Sequence, residues 1–528
     1  MSGKVIKSLK QLCTNAKSVS LTLNLWSDHR LHSYLGITMH TIIQNELHSY
    51  PLSFERSKGG HIAINILSEF HKVVKFYELE NKLVRIVTDN ASNNMAAFDN
   101  LILPGFDDYF NNTGGLDGTD NDYQLSLTTA AATTTDNQDW NDEEGEEIEM
   151  NSGDEKDIDI EWEKSGFISK DSLVVNLPDQ DFALFGNITV NGYLRIPCFA
   201  HTLQLVIHDG IYNSKPAFNA LKKVAAIAKF SRTSCVFAER LELTKQSIPI
   251  ATVARWISQF YTIKAVYNVS QSELNIILND LNKSEMILTS ADRRVLSEFI
   301  QLLELFEEAT THAQGETHST ISCVAPSILS IFHFLDIQKC VYLGKLRESL
   351  LTSIKARFSG LLRHFHIDVP NNQHSMSERF SDPIFLITPT LDARFKMHWL
   401  STIGLTDDIK DTVIEKIRTL INLADSQVLP KDSEGEIETV GQELANINSP
   451  VNGKRKISKL FPYLAKPSKR ILGTTSSILE ELESFLKEEA MDSNLILVKQ
   501  RLFPSLATLA LKYFTVPATS TSGERIFS

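Results

Sequence analysis

The stretch Ser18-Val-Ser-Leu-Thr-Leu-Asn-Leu-Trp26 alternates polar with apolar side chains. Alternation with a period of two is typical of a β-strand that buries one face and leaves the other in water. Residues 34–43 and 47–54 have the composition of two more strands, and Asn45-Glu46 predicts a turn between them. The sequence therefore predicts three consecutive strands at the start of the fold.

The apolar pattern then changes to that of a helix and back to that of a strand. Between Ala63 and Tyr77 apolar side chains recur at helical spacing, and residues 83–87 form a short apolar run that ends at Thr88-Asp89. We predict an amphipathic helix and a buried strand at these two places, with a further helix at 91–101. Periodicity alone indicates a mixed α/β class.

The negative charge of the chain is concentrated in one segment. The net charge is −13, and residues 136–164 hold fourteen Asp and Glu against two Lys, which leaves the remainder near −1. Low hydrophobicity and self-repulsion predict that residues 104–180 are mostly disordered. A nearly neutral remainder is compatible with a polyanionic partner if its positive charges cluster.

Composition excludes several classes of protein. The five cysteines are scattered and form no C-x-x-C pair, so neither a disulfide framework nor a zinc finger is predicted. No window approaches 18 consecutive apolar residues, and the first residues lack the apolar core of a signal peptide. We therefore expect no membrane partner, and a reducing compartment such as the cytosol or the nucleus.

The second half of the chain has a helical pattern. Strands are predicted within residues 181–200, a helix begins at His201, and residues 215–425 show helical periodicity. A linker with two basic runs, 454–459 and 466–470, follows. Such runs fit a nuclear localisation signal or a DNA contact, and equally a solvated linker.

Two more helices are predicted after this linker. Ser477-Ile-Leu-Glu480 has the pattern of a capping box at a helix start. An apolar stripe after Pro504 indicates an amphipathic helix that needs a partner surface, and its members are Leu506, Leu509, Ala510 and Tyr513.

Five short motifs follow one another along the chain: Leu23-Asn-Leu-Trp-Ser27, Arg85-Ile-Val-Thr-Asp-Asn-Ala-Ser-Asn-Asn94, Cys198-Phe-Ala-His201, Ala254-Arg-Trp-Ile-Ser258 and Ser520-Thr-Ser-Gly-Glu-Arg-Ile-Phe-Ser528. Their wording and order resemble those of the hAT transposase family and the BED-finger proteins derived from it. The resemblance implies an RNase H-like α/β domain that begins with three antiparallel strands. It also implies that this domain is interrupted by the disordered acidic loop and by a large all-α insertion domain.

The expected domain boundaries combine this resemblance with the composition. They are an N-terminal lead-in at 1–17, the RNase H-like domain at 18–103 and 181–214, the acidic insertion at 104–180, the helical insertion domain at 215–423, a basic flexible linker at 424–473 and a dimerisation region at 474–528. Relatives often carry a BED zinc finger before the first strand and continue past the last motif. This sequence contains neither, so we expect a truncated dimerisation region.

The resemblance assigns catalytic carboxylates to Asp89 and Glu524. Enzymes of this class hold two divalent metal ions, here Mg²⁺ or Mn²⁺, and hard cations prefer carboxylate oxygens. The first catalytic Asp of the family is replaced by Asn24, whose neutral amide is a weaker ligand. Both remaining carboxylates also have a structural interpretation that needs no catalytic role. Asp89 fits a turn or helix cap, and Thr521-Ser-Gly-Glu524 fits a capping box.

Three further motifs have expected roles near this site. For Cys198 and His201 we expect hydrogen bonding and packing that support the active site, rather than metal ligation, because no second ligand pair completes four. The resemblance implies that Trp256 stacks on a DNA base and Arg255 contacts phosphate, while a core Trp is the alternative. For Leu391-Asp-Ala-Arg-Phe-Lys396 we expect only a structural Asp–Arg pair.

Two functions of different classes remain, and a third interpretation is a decayed or partial gene product with no stable role. The first is a transposase-derived nuclear protein without catalytic activity, which acts through DNA binding and through self-association by its C-terminal region. The second is an active DNA transposase that hydrolyses phosphodiesters and transfers strands with Mg²⁺ or Mn²⁺. Asn24 favours the first.

Overall fold

The structure, a computed structural model, joins a small mixed β-sheet to a large helical region. It describes residues 3–27, 33–57, 63–88, 103, 106, 109, 194–212, 217–252, 256–315, 317–370, 377–401, 404–428, 459–461, 477–489 and 492–520.

Five strands form the sheet in the order β3-β2-β1-β4-β5. Their bounds are β1 Val19–Ser27, β2 Ser33–Ile43, β3 Glu46–Ser57, β4 Leu83–Thr88 and β5 Arg195–Pro197. The first three pair antiparallel, and β4 pairs parallel with both β1 and β5. The predictions of the first four strands are confirmed, and their order agrees with the opening expected of an RNase H-like domain.

Helices make up most of the remaining described structure. Two of them flank the first strands, α1 Gly3–Asn15 and α2 Ala63–Phe76. The others are α3 Phe199–Tyr212, α4 Phe218–Thr233, α5 Cys235–Leu243, α6 Trp256–Asn268, α7 Gln271–Asp280, α8 Ser290–Ala313, α9 Val324–Ile337, α10 Gly344–Arg357, α11 Ser359–Leu362, α12 Ile384–Leu391, α13 Asp407–Val428, α14 Ile478–Leu486, α15 Leu495–Val498 and α16 Pro504–Tyr513. None of the helices in these ranges is long and apolar enough to cross a membrane.

One face of the sheet is apolar and lies under α1 and α2. Leu21 and Leu23 of β1 and Ile37 of β2 share a buried cluster with Leu9 of α1 and Phe70 of α2. Burial of such side chains is the main source of stability for a layer of this kind. Helix α1 lies in the range that we predicted as a lead-in, and it packs as part of the sheet domain.

The opposite face of β1 is polar and is also buried, which corrects the expectation of a half-buried strand. Ser20 and Thr22 have no exposed surface, and Asn24 is only 5% exposed. The polar side chains of the alternation point toward other parts of the chain instead of toward water. Because buried polar groups need hydrogen-bond partners, this face requires specific contacts from those parts.

The helical region has one continuous apolar core. Its longest helix, α8, begins with a capping box in which Thr289 and Asp292 exchange hydrogen bonds, and it buries Phe299, Leu302 and Phe306. At the predicted capping box before α14, the Ser477 side chain makes no capping hydrogen bond. The core also covers the stripe on α16, where every member is at most 2% exposed.

The buried α16 stripe removes the motive for the predicted dimer. We expected Leu506, Leu509, Ala510 and Tyr513 to need a partner surface, and they find it within their own chain. A helix of this length buries its apolar face wherever the fold offers a complementary surface. Self-association therefore stays a prediction without this stripe as its support.

Packed structure also occurs inside two ranges that the sequence assigned to flexible segments. Phe106 and Tyr109 of the range 104–180 are buried, and Arg232 donates a hydrogen bond to the Tyr109 hydroxyl at 3.3 Å. In the range 424–473, α13 continues to Val428, and Leu460 and Phe461 are buried in the helical core. The residues predicted as disordered between 110 and 180 lie outside the described structure.

Candidate functional site

Asn24 lies on the central strand β1, and its side chain is used as a hydrogen-bond donor. Its amide nitrogen Nδ2 donates to the backbone oxygen of Ser520 at 2.8 Å, across 496 residues of sequence. The amide is nearly fully buried, so water does not compete for this contact. The position of the expected first catalytic carboxylate is thus occupied by a group that ties β1 to residue 520.

The residues that follow α16 run along the polar face of β1. We refer to residues 515–520 as the 515–520 segment. The Thr515 hydroxyl lies 2.9 Å from the Ser20 hydroxyl, and the Ser520 carbonyl lies next to Asn24. Because contacts advance in the same direction on both partners, the segment runs parallel to β1. This segment leads toward Glu524, which lies outside the described residues.

Cys198 holds the same segment from the other side. The backbone N–H of Ser520 donates to the Cys198 sulfur at 3.4 Å, and the sulfur lies 3.5 Å from the Thr519 hydroxyl. Burial raises the pKa of the Cys198 thiol, which keeps it protonated. These contacts support the predicted packing role of Cys198. His201, the other residue of the C-x-x-H motif, lies in the first turn of α3.

Strand β4 carries the other side of the candidate site. Leu23 of β1 pairs with Thr88, the last residue of β4, in the parallel β1–β4 register. Asn24 is the next residue of β1, so it lies near the end of β4. Thr88 in turn accepts a hydrogen bond from Arg195 of β5 at 2.5 Å through its hydroxyl. Asp89 is the residue after Thr88 and lies outside the described residues.

A buried histidine extends the polar network under β1. The two ring nitrogens of His40 lie 3.0 Å from the Thr22 hydroxyl and 2.8 Å from the Ser49 hydroxyl, which links β1, β2 and β3. Burial lowers the pKa of His40 to about 3. The imidazole is therefore neutral at physiological pH, and one nitrogen donates while the other accepts.

The Asp392–Arg394 pair predicted from the sequence is present, and it has a visible structural role. Arg394 Nη2 lies 2.6 Å from Asp392 Oδ2, and the Asp392 side chain has no exposed surface. Asp392 also accepts a hydrogen bond from the Ser322 hydroxyl at 2.6 Å, and Arg394 donates to the Ser319 carbonyl at 2.9 Å. The pair therefore fixes the turn that contains Thr320.

This turn holds the 515–520 segment in place. The Thr320 hydroxyl accepts a hydrogen bond from the backbone N–H of Ala518 at 2.9 Å, and the Ala518 carbonyl accepts one from Phe199 at 2.8 Å. A continuous set of contacts thus runs from Asp392 and Arg394 to Asn24 through the segment. The sequence motif predicted the Asp392–Arg394 pair, but only the fold shows that the pair is connected to the candidate site.

Trp256 is a core residue in this arrangement. It is the first residue of α6, is 2% exposed, and packs against Phe260 with ring centres 5.6 Å apart. This matches the core alternative, since a buried indole offers no face to a base. The predicted stacking would require the side chain to leave the core, and Arg255 lies outside the described residues.

The described residues of this site do not fit a divalent metal ion by themselves. They offer one neutral amide that donates a hydrogen bond, several hydroxyls and a protonated thiol. Hard cations require several oxygen ligands, usually carboxylates. No group of three His, Cys, Asp or Glu that could hold a metal exists within the described ranges.

Sequence reasoning missed several of the residues that build this site. Ser20, Thr22 and His40 were not singled out, and neither was Thr515. The polar positions of the alternation in β1 were the available signal, because all of them belong to the buried face. The partners of Ser20 and Asn24 lie 495 and 496 residues away, and no local pattern identifies them.

Two comparisons with known proteins bear on this site. The family model described as the ZBED1 RNase-like domain matches residues 22–105, which include Asn24 and Asp89. The Homo sapiens protein named zinc finger BED domain-containing protein 4 is 21% identical over 396 residues. That match covers 71% of this chain and 30% of the relative, so the chain spans less than a third of the relative's length. The predicted similarity to BED-type and hAT-like proteins is confirmed.

Proposed function

We propose that this chain, a relative of BED-type and hAT-like proteins, is a transposase-derived nuclear protein that binds DNA without cleaving it. Self-association is part of the proposal and would use a surface other than the α16 stripe. The similarity to a zinc finger BED domain protein supports a nucleic-acid partner.

The contact between Asn24 and Ser520 is the observation that carries this proposal. An amide can donate to the Ser520 carbonyl at 2.8 Å, whereas an ionised carboxylate has no proton to donate. A carboxylate at this position would place two acceptor oxygens against each other in a buried place. Asn24 therefore suits the closed arrangement of the 515–520 segment, and an ionised Asp suits a metal centre.

The alternative function is an active transposase. The sheet order, with β1 and β4 adjacent and parallel, is the frame on which Asp89 and Glu524 would hold Mg²⁺ or Mn²⁺. Those ions would activate a water and stabilise the leaving oxygen of a phosphodiester. This function requires a third ligand that Asn24 does not offer while it is bound to Ser520.

A cleavage assay tests the two functions against each other. The unaltered chain, Asn24→Asp and Asp89→Ala are incubated with Mn²⁺ or Mg²⁺ and DNA that carries the genomic sequences on both sides of the gene. We expect binding without cutting by the unaltered chain. Cutting by the unaltered chain that is lost in Asp89→Ala would establish the transposase instead.

Manganese binding gives a second measurement that does not require the correct DNA. Electron paramagnetic resonance of Mn²⁺ counts bound ions in the unaltered chain and in Asn24→Asp. We expect no tightly bound ion in the unaltered chain, because a neutral amide does not offset the cation charge. A tightly bound ion that disappears in Asp89→Ala would contradict the proposal.

A further inference from the structure

A strongly basic surface lies on the side of the sheet opposite to the candidate site. Residues 1–27 contain four lysines and no acidic residue, although the whole chain has a net charge of −13. These lysines are Lys4, Lys7 and Lys10 of α1 and Lys17 just after it, and all four are exposed. We refer to these four residues as the α1 lysine face.

The helix geometry directs this face away from the sheet. Lys4, Lys7 and Lys10 follow one another every three residues, so their Cα atoms rise in steps of about 4.5 Å on one side of the helix. The other side of α1 buries Leu9 and Cys13 in the apolar layer. Among the residues that the structure describes, Lys4, Lys7 and Lys17 form no ion pair with an acidic side chain.

Helix α2 extends the basic surface. Lys10 Nζ lies 3.8 Å from the centre of the Phe76 ring, which places the two helices side by side. Helix α2 adds the exposed Lys72 and Lys75 and a single acidic residue, Glu69. The two helices together have five lysines and one glutamate, and hence a net charge of +4.

The types of residue on this surface indicate the partner. Ser8 and Gln11 are exposed next to the lysines of α1 in the sequence, and Thr14 is exposed near the end of the helix. Lysine, serine, threonine and glutamine are side chains that contact phosphate oxygens and sugars in protein–DNA complexes. Such contacts position a duplex and read no bases, so this surface fits a phosphate backbone of any sequence.

We propose that the α1 lysine face binds the phosphate backbone of duplex DNA independently of base sequence. It lies on the side of the sheet opposite to Asn24 and the 515–520 segment. The inference rests on the DNA binding of the proposed function and assigns part of that binding to α1. Each phosphate that a lysine neutralises releases condensed counterions, so the contact weakens as salt increases.

The test measures the salt dependence of DNA binding by the full chain. Fluorescence anisotropy of a labelled duplex of random sequence gives the affinity between about 50 and 250 mM KCl. The variant is Lys4→Gln/Lys7→Gln/Lys17→Gln, which leaves Lys10 on the Phe76 ring. We expect the slope of log affinity against log salt to fall by about 2 to 3, since each contact contributes roughly 0.9.

A matched variant controls for the loss of three charges. Lys339, Lys345 and Lys487 are exposed lysines of the helical region, and their joint replacement by Gln should leave the slope unchanged. Equal slopes for the unaltered chain and the α1 variant would overturn the inference and leave the DNA binding of the proposed function intact. Absence of salt-dependent binding by the unaltered chain would overturn both.

Discussion

Arg85 on β4 forms two hydrogen bonds with the carboxylate of Asp382, at 3.1 and 3.2 Å, and both side chains are buried. The same carboxylate accepts a hydrogen bond from the backbone N–H of Ile384 at 2.9 Å, at the start of α12. This pair joins the sheet to the helical region. Because water cannot solvate either buried group, the charge of each side chain is compensated by that of its partner.

Loss of either partner should destabilise the protein strongly. Arg85→Met leaves a buried carboxylate without its cation, and we expect the free energy of unfolding to fall by about 3 to 5 kcal/mol. Asp382→Ala should cost more, because it also removes the acceptor at the start of α12. Urea denaturation followed by circular dichroism measures both.

A surface pair gives the control for this comparison. Arg240 and Asp280 lie 2.8 Å apart, with 38% and 53% of their side chains exposed. Arg240→Met should change the free energy of unfolding by about 0 to 1 kcal/mol, because water screens such pairs. Similar losses for Arg85→Met and Arg240→Met would show that the buried pair stabilises the fold no more than a solvated pair does.

Asn24→Asp should destabilise the protein more than Asn24→Ala at neutral pH. The alanine variant leaves the Ser520 carbonyl without its donor, at a cost of about 1 to 3 kcal/mol. The aspartate variant adds a buried charge that faces an acceptor. Its extra cost should shrink at low pH, because a protonated carboxyl can donate to Ser520. Equal melting temperatures of the two variants at pH 7 and pH 4 would contradict this account.

His40 should make the protein less stable as the pH falls below 6.5, the ordinary pKa of a histidine side chain. Burial lowers its pKa in the folded protein from 6.5 to about 3. Between these values the unfolded chain binds a proton that the folded chain does not. The contribution of neutral His40 to the free energy of unfolding is therefore complete above pH 6.5. It is lost as the pH falls toward 3, at about 1.4 kcal/mol per pH unit.

The measurement compares the unaltered chain with His40→Asn from pH 7 to pH 4. The difference in free energy of unfolding should narrow as the pH falls, because only the unaltered chain carries the histidine penalty. His318, whose pKa burial lowers to about 4, contributes to both proteins and cancels. Parallel pH profiles would mean that His40 reaches water in the folded state.

Arg394→Met should release the 515–520 segment before it unfolds the helical core. Arg394 holds the Ser319 carbonyl, and the Thr320 hydroxyl holds the N–H of Ala518. We expect faster hydrogen exchange at Ala518 and Ser520 and unchanged exchange in the middle of α8. Arg418→Met is the control, because Arg418 pairs with Glu415 and Glu483, whose side chains are 68% and 46% exposed. Slow exchange at Ala518 in the Arg394 variant would refute the link.

The strands could be predicted because their signal is local. Alternation in 18–26 and the apolar run at 83–87 identified β1 and β4, and the resemblance supplied their order. The burial of the polar face could not be predicted, because the partner of Ser20 is Thr515 and that of Asn24 is Ser520. Periodicity separates polar from apolar positions, but it does not tell whether another segment covers the polar ones.

The same limit explains why the sequence did not identify the surface that covers the α16 stripe, and why it left the core position of Trp256 as one of two alternatives. An apolar stripe predicts that a helix buries one face, and it does not identify the surface that covers that face. Here the covering surface is the core of the same chain. By contrast, Asp392 and Arg394 are two residues apart, and their pairing was predicted because it is local.

The polar face of β1 also bears on the time course of synthesis. Asn24 leaves the ribosome 496 residues before its partner Ser520, a delay of roughly 25 to 100 s at about 5 to 20 residues per second. An apolar face left uncovered for that time would attract other nascent chains. Ser20, Thr22 and Asn24 can bind water until residues 515–520 arrive. The polar inner face of β1 thus remains compatible with water until the final contacts close it.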